Sequence, residues 1–312
     1  MVKIYFEIMS FNDIIGQELA KDILRKDIGK ERVSSSYLFV GPKGVGKKLT
    51  AISLAKALNC FKGGVDSCDE CANCRLIDKG NFPDCITVSP DEKGSIKIEM
   101  IREIKQTVSL RTMGRRVIII EDADTMTEEA QNAFLKTLEE PPLDTTIILT
   151  SSKPKHLFQT IISRCKLVKF RRLSNSEVKK LLETRKVKNA ELLANLSGGS
   201  MERALSLLES GARKIAFKFA NLTVRKRLFI VGNLRTTPIE EFLDSLYIFY
   251  GDMLAKHFGL QVRNTDLEIV DKELSCIFSG MNIIRRAVLA LNHNVNSDNI
   301  LYYLAYNLPE MG

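Results

Sequence analysis

Residues 41 to 48, GPKGVGKK, set three glycines and two consecutive lysines in the order that a phosphate-binding loop requires. The pattern G-x-x-x-x-G-K-[ST] is met in seven of its eight places, and the last, where a hydroxyl belongs, holds Lys48. Gly41, Gly44 and Gly46 let the backbone turn tightly enough for successive N–H groups to surround phosphate oxygens at the start of a helix. Lys47 is placed to reach the β and γ phosphates of ATP, or the β phosphate of ADP. The missing hydroxyl is the one that would hold magnesium. An ammonium in its place repels a metal ion while still attracting phosphate, so nucleotide binding and hydrolysis separate at this position.

The second chemically telling feature is Glu121-Asp122, which follows the apolar run VIII at 117 to 120. In a hydrolase with such a loop the expected order is Asp-Glu, with the Asp directed toward magnesium and the Glu polarising the attacking water. Here the two lengths are exchanged. Each carboxylate moves by about one methylene, and a misplacement on that scale costs on the order of 10²-fold in rate.

Cys60, Cys68, Cys71 and Cys74 form C-x7-C-x2-C-x2-C, four thiols within fifteen residues. Each C-x2-C turn can bring two sulfurs to one metal, and four thiolates complete a tetrahedral Zn2+ site with no open position, which is a structural site. An iron–sulfur cluster and free thiols are the alternatives. Cys85, Cys165 and Cys276 are isolated and are expected to act as small buried hydrophobes.

These residues need strands and helices to hold them. YLFV at 37 to 40 reads as a buried strand that leads straight into the glycine-rich loop, and LTAISLAKAL at 49 to 58 reads as the helix after it. The β-branched run at 117 to 120 is a second strand, covered on both faces. TEEAQNAFLKTLEE is an amphipathic helix, capped by Thr127, favoured at its positive end by Glu128 and Glu129, and stopped by Pro141-Pro142. TTIILT at 145 to 150 is a third strand. Alternation of this kind predicts a parallel sheet flanked by helices, with ligands at the carboxyl ends of the strands. After VKFRRL the pattern changes. Ser174 to Glu177 is a capping-box sequence, Gly198-Gly199 breaks the chain, Met201 to Leu208 restarts a helix, and helical patterning continues to Gly312. The expected domains are 1–173 (α/β), 174–211 (small and helical) and 212–312 (all-α).

The 312 residues are 45% hydrophobic, enough for a substantial core. A formal net charge of +8, spread along the chain, suits polyanion contacts and equally suits a soluble surface that happens to be basic. No uninterrupted apolar run approaches the length needed to cross a bilayer, and the N-terminus lacks the long apolar core of a signal peptide. The expectation is a cytoplasmic protein with no membrane partner. In that reducing setting the clustered cysteines read as metal ligands before disulfides.

FNDIIGQE at 11 to 18, the phosphate loop, the four-cysteine insertion, SIKIEMIREI at 95 to 104, EDADTMTEEAQNAFLKTLEEPP at 121 to 142 and TIISRC at 160 to 165 occur in one order along the chain. Taken together they resemble the AAA+ clamp-loader subunits of bacterial DNA polymerase III, most closely the delta-prime branch, over residues 9 to 210. The resemblance implies a P-loop AAA+ domain with a four-cysteine zinc insertion at 60–74, a helical lid and a helical collar for oligomerisation. It implies a ring with gamma/tau and delta subunits that opens the sliding clamp and places it on primed DNA. In such rings the motif matched by Ser163-Arg164-Cys165 presents its arginine to ATP on the neighbouring subunit. An arginine supplied in trans neutralises developing phosphoryl charge and is worth about 10³ to 10⁵ in rate in related chemistry.

Motor subunits of these rings also carry a GSxR motif that senses their own nucleotide. Here Gly199-Ser200-Met201-Glu202 matches it, with Arg203 one place late. A carboxylate where a γ-phosphate contact belongs is repulsive. The resemblance therefore points to a subunit with no ATPase of its own. The alternative is an ATP-hydrolysing gamma/tau-type motor in which Thr50 or a water replaces the missing hydroxyl, and a zinc-dependent DNA binder ranks last. Met9, which opens MSFNDIIGQE as family members open, is a candidate start beside Met1.

Overall fold

The computed structural model describes residues 10–108, 114–209 and 211–310; the two candidate starts, Met1 and Met9, lie outside them. The chain divides between Leu173 and Ser174 into two compact units.

The first unit runs α1 (Glu18–Gly29), β1 (Ser36–Val40), α2 (Lys47–Asn59), α3 (Ala72–Asp78), β2 (Cys85–Val88), α4 (Ile98–Val108), β3 (Arg116–Ile120), α5 (Glu128–Glu139), β4 (Thr145–Ser151), α6 (Gln159–Ile162) and β5 (Lys166–Lys169). The five strands form one sheet in the order β2-β3-β4-β1-β5. Every pairing is parallel. Side chains alternate across the sheet as the pleat dictates. Tyr37, Phe39, Val117, Ile119 and Ile148 face one core with Ala20 and Leu24 of α1 and Ala51, Leu54 and Ala55 of α2. Leu38, Ile118, Ile120, Ile147 and Leu149 face the other with Ile101 and Ile104 of α4 and Phe134 of α5. Both faces being covered explains why the centres of β3 (VIII) and β4 (IIL) are apolar without a break.

The expected elements around the loop form where they were placed. Thr127 caps α5 by accepting the N–H of Ala130 at 3.2 Å. Two strands were not anticipated, β2 and β5. Both are edge strands, and β5 exposes three of its four residues (KLVK), so it has no apolar run to find. Cys85, Cys165 and Cys276 are half-buried rather than fully buried. Burial still pushes the Cys85 thiol up to about 11 and the Cys165 thiol up to about 12.

The second unit is helical throughout its described residues: α7 (Asn175–Thr184), α8 (Ala190–Ser197), α9 (Met201–Glu209), α10 (Ala212–Ala220), α11 (Val224–Ile230), α12 (Ile239–His257), α13 (Leu274–Asn292) and α14 (Ser297–Asn307). The capping box at α7 is complete. The Ser174 hydroxyl accepts the Glu177 N–H at 3.2 Å, and the Glu177 carboxylate accepts the Ser174 N–H at 2.7 Å. Gly198 and Gly199 separate α8 from α9. Helices α10, α12, α13 and α14 share a core that includes Phe219, Phe242, Leu246, Tyr250, Ile284 and Leu304.

Although no uninterrupted apolar run is long enough to span a bilayer, α13 has the length and the mean hydropathy, 1.4, to do so by composition. Its buried residues Ile277, Gly280, Ile284 and Ala287 fall on one stripe against this core, while Arg285 and Arg286 are exposed. That is the pattern of an amphipathic helix with one stripe packed on a core.

One buried cation ties this core to the end of the described chain. Arg227, fully buried, donates to the carbonyls of Phe219 (3.0 Å) and Ala220 (2.7 Å) at the end of α10, and to those of Leu308 and Pro309 after α14. Its charge is met by two sets of terminal carbonyls rather than by a carboxylate. Truncation takes this donor from the carbonyls of Ala220, Leu308 and Pro309, at about 1–3 kcal/mol each, while the Phe219 carbonyl keeps the Leu222 N–H at 3.2 Å. Arg227→Ala is therefore expected to lower the urea midpoint of unfolding followed by far-UV circular dichroism, and Arg227→Lys, lacking the planar fork, to recover only part of it. A midpoint unchanged in Arg227→Ala contradicts this role.

Candidate functional site

The loop leaving β1 lies at the carboxyl end of the sheet. The Gly41 N–H donates to Ser151 at the end of β4 (3.2 Å), and the N–H of Phe170, just after β5, donates to Val40 (2.7 Å). A Cβ at position 41 would lie 2.5 Å from the Phe170 carbonyl oxygen, so only glycine fits between the two strand ends. Gly44 and Gly46 take positive φ (69° and 98°), and Gly46 is the residue from which α2 starts. The Lys47 ammonium sits inside the curve of the loop and donates to the carbonyls of Gly41 and Pro42, both at 2.7 Å. The cradle is thus formed, with its lysine held against the loop's own carbonyls.

Gln17, at the end of FNDIIGQE, fastens this cradle. It is buried, and its amide donates to Val45 in the loop (3.2 Å) and to the Arg171 carbonyl (2.7 Å), while its own oxygen accepts the Arg171 N–H at 3.0 Å. Sequence reasoning gave Gln17 no role of its own. A glutamine immediately before a helix has no local use for three hydrogen bonds, and its partners lie 28 and 154 residues away.

Lys48, in the position of the missing hydroxyl, reaches the end of β3. Its ammonium pairs with a Glu121 carboxylate oxygen at 2.6 Å. The carboxylate is well covered (16% exposed), and the ammonium comes to it from the more open side (55% exposed). Thr50, the alternative hydroxyl, is fully buried and donates to the Gly46 carbonyl at 2.9 Å, one turn back in its own helix. Its hydroxyl is turned into α2 and does not serve as a metal ligand in this arrangement. Asp122 stands in a left-handed conformation (φ 44°), and its N–H donates to the Thr150 hydroxyl at the end of β4 (3.0 Å). Thr150 is a second residue that sequence reasoning passed over, being the last threonine of an apolar strand run.

Ser163, Arg164 and Cys165 follow α6. Arg164 is a third exposed (36%); it donates to the Thr160 carbonyl at 2.9 Å and pairs with Glu139, the last residue of α5, at 2.7 Å. Ser163 donates to the Thr160 carbonyl at 3.1 Å, and Cys165 packs against the apolar core beneath. In the second unit Glu202 is exposed in the first turn of α9, and Arg203 pairs with Asp244 at 3.2 Å. The guanidinium one place late in the sensor-like stretch is thus engaged within its own unit.

Cys60 ends α2, Cys71 precedes α3 and Cys74 lies within α3. With Cys68 their sulfurs lie within 4.8 Å of one another. Zn–S bonds of about 2.3 Å around a tetrahedron set sulfurs about 3.8 Å apart, so the cluster can close on one metal ion with small movements. Backbone N–H groups favour the thiolate form. The Cys71 N–H donates to Cys68 Sγ at 3.4 Å, and although burial opposes it, the N–H groups of Cys74 and Phe61 help hold the Cys71 thiol down at about 6.

The cysteine excursion is bolted to the sheet. Fully buried Lys56 of α2 pairs with Asp69 and Asp78, each at 2.7 Å. Asp66 accepts the N–H groups of Phe11 (2.8 Å) and Asn12 (3.2 Å), and Asp69 accepts that of Ser10 (3.0 Å). The cysteine excursion and the N-terminal turn therefore hold each other.

The family model for DNA polymerase III, delta subunit, matches residues 16–174. The DNA polymerase III subunit delta-prime of Bacillus subtilis is 32% identical over 92% of this chain and 94% of its own length. The tau subunit of the same organism is 33% identical over 78% of this chain but only 44% of its own length. Among solved structures, a DNA polymerase III gamma-subunit-related protein of Thermotoga maritima superposes with a TM-score of 0.51 at 18% identity, over 93% of this chain and all of that one, a likeness of fold. With a phosphate-loop sheet, the degenerate acidic pair and an exposed Ser-Arg-Cys motif in the family order, the chain belongs to the delta-prime family of AAA+ clamp-loader subunits of bacterial DNA polymerase III.

Proposed function

We propose that this subunit keeps a nucleotide site but has no ATPase of its own, and that it presents Arg164 to ATP held by a neighbouring gamma/tau subunit. The observation that carries the reading is the Lys48–Glu121 pair at 2.6 Å, which engages the acid a hydrolytic site would give to magnesium. With Thr50 turned into its helix, no hydroxyl from the loop or its helix is on offer to a metal, and of the two acids after β3 Glu121 is already paired. Arg164 suits the donor role because its pair with Glu139 is exposed on both sides, and such pairs are worth about 0–1 kcal/mol, so the guanidinium can be released at little cost.

In this reading residues 174–211 serve as a lid and 212–312 as a collar that docks against unlike subunits, gamma/tau and delta. The exposed Phe229, Phe278, Leu289 and Tyr306 give that helical unit apolar surface for docking. The assembly acts on the sliding clamp and primed DNA in the cytoplasm, and a structural Zn2+ held by Cys60, Cys68, Cys71 and Cys74 fixes the excursion after α2.

Three outcomes follow for measurement. The purified chain is expected to show no magnesium-dependent ATP hydrolysis above background; robust turnover abolished by Lys47→Ala would establish the motor-type alternative instead. In the reconstituted complex, Arg164→Ala is expected to leave assembly intact by size exclusion and to slow single-turnover hydrolysis at the site it faces by about 10³-fold or more, without rescue by Arg164→Lys. An unchanged rate refutes the donor role. The purified chain is also expected to contain one zinc, whose removal by chelation speeds hydrogen exchange at the amides of Ser10, Phe11 and Asn12, because Asp66 and Asp69 hold those amides. Metal-free protein with the same exchange rates contradicts the metal assignment.

A further inference from the structure

We propose that the loop at 41–48 binds the phosphate chain of a nucleotide without a divalent metal, with the Lys48 ammonium taking the metal's place. The proposal rests on the reading of this loop as a nucleotide site and adds to it the charge state of the ligand.

A magnesium nucleotide needs a hydroxyl ligand, a free carboxylate and an ion bridging the two phosphates that react. Position 48 supplies no hydroxyl, and that of Thr50 is committed to the Gly46 carbonyl. The carboxylate of Glu121 already holds a cation at 2.6 Å. That cation is tethered through its own side chain one residue after Lys47, so a metal would compete with an ammonium at an effective concentration of mM or higher. The nearby acid Asp124 is also engaged, accepting the Ser152 N–H at 3.0 Å.

The same geometry favours a bare phosphate chain. An ammonium has three N–H donors, and the contact with Glu121 occupies one of them. Lys47 and Lys48 bring two ammonium groups to a loop whose Gly44 and Gly46 take the positive φ that phosphate-binding loops use to gather N–H groups. Lys48, more than half exposed, can direct its remaining donors to a bound phosphate while it stays paired with Glu121. A metal-free triphosphate would meet tethered counter-charge where other loops recruit an ion. Magnesium, by complexing the nucleotide in solution, would compete with such a site for it.

The test is calorimetric titration of ATP and of ADP into the whole chain, in EDTA and in excess magnesium, repeated on Lys48→Thr and Lys47→Ala. The expected result for the native chain is binding in EDTA that weakens in excess magnesium, which draws free nucleotide into its metal complex, and loss of binding in Lys47→Ala; equal affinity of the native chain in both buffers overturns the inference. Lys48→Thr is expected to weaken binding at least about 10-fold in EDTA, with recovery on adding magnesium. Nucleotide bound by the native chain only with magnesium overturns this inference and leaves the nucleotide site standing. No binding in either buffer overturns the nucleotide site, and this inference with it. A Lys48→Thr chain that folds with the native unfolding midpoint and binds as the native chain does in both buffers removes Lys48 from the account.

Discussion

The contact between Lys48 and Glu121 joins the first turn of α2 to the end of β3 across 2.6 Å, and its consequence lies in charge rather than in stability. As a partly exposed pair it adds little to folding. What it changes is which cation the strand-end carboxylate serves. A divalent ion brings two charges, fixed geometry and a way to stabilise the charge that develops as phosphoryl transfer proceeds. An ammonium brings one charge and no coordination geometry. Under the proposed function the site keeps the means to attract phosphate and lacks a metal to spread the charge of the transition state, in keeping with the proposal that this subunit assists hydrolysis elsewhere.

For that exchange to matter, the loop must still be held in shape, and the rest of the α/β unit does so. Gly41 passes the Phe170 carbonyl where no Cβ fits, and Gln17 fastens Val45 to the backbone beyond β5. Those contacts leave the loop little freedom to collapse. The N-terminal turn that leads to Gln17 is anchored in turn by Asp66 and Asp69 of the cysteine excursion, and buried Lys56 ties Asp69 to α2. A metal closing the four cysteines would stiffen the element that holds this turn. Removing Lys56 would leave Asp69 and Asp78 without the cation they share.

Much of this was legible in the sequence wherever the signal was local. The VIII run, the Thr127 cap, the Ser174–Glu177 capping box and the four-cysteine spacing each report on neighbours a few residues away, and each is realised as a strand, a cap or a cluster. Edge strands β2 and β5 were not legible, because a strand covered on only part of its surface carries no continuous apolar run. Long-range pairs were hidden for a different reason. Lys48 could be read as hostile to a metal, but its attachment to Glu121 depends on α2 and β3 meeting at one end of the sheet. Gln17, Thr150 and Lys56 look like ordinary polar residues until their partners arrive from distant segments. The Arg164–Glu139 pair likewise joins the ends of α5 and α6, which periodicity alone cannot bring together.

The replacement of the metal by Lys48 is tested most directly by electron paramagnetic resonance of Mn2+, used as a spectroscopic stand-in for magnesium, on the whole chain in the presence of ATP. The account predicts that the Mn2+ signal remains that of the nucleotide complex free in solution, with no protein-bound species, and that Lys48→Thr creates one. A stoichiometric protein-bound Mn2+–nucleotide signal in the native chain would show that Glu121 still serves a metal, and would contradict the account at its centre.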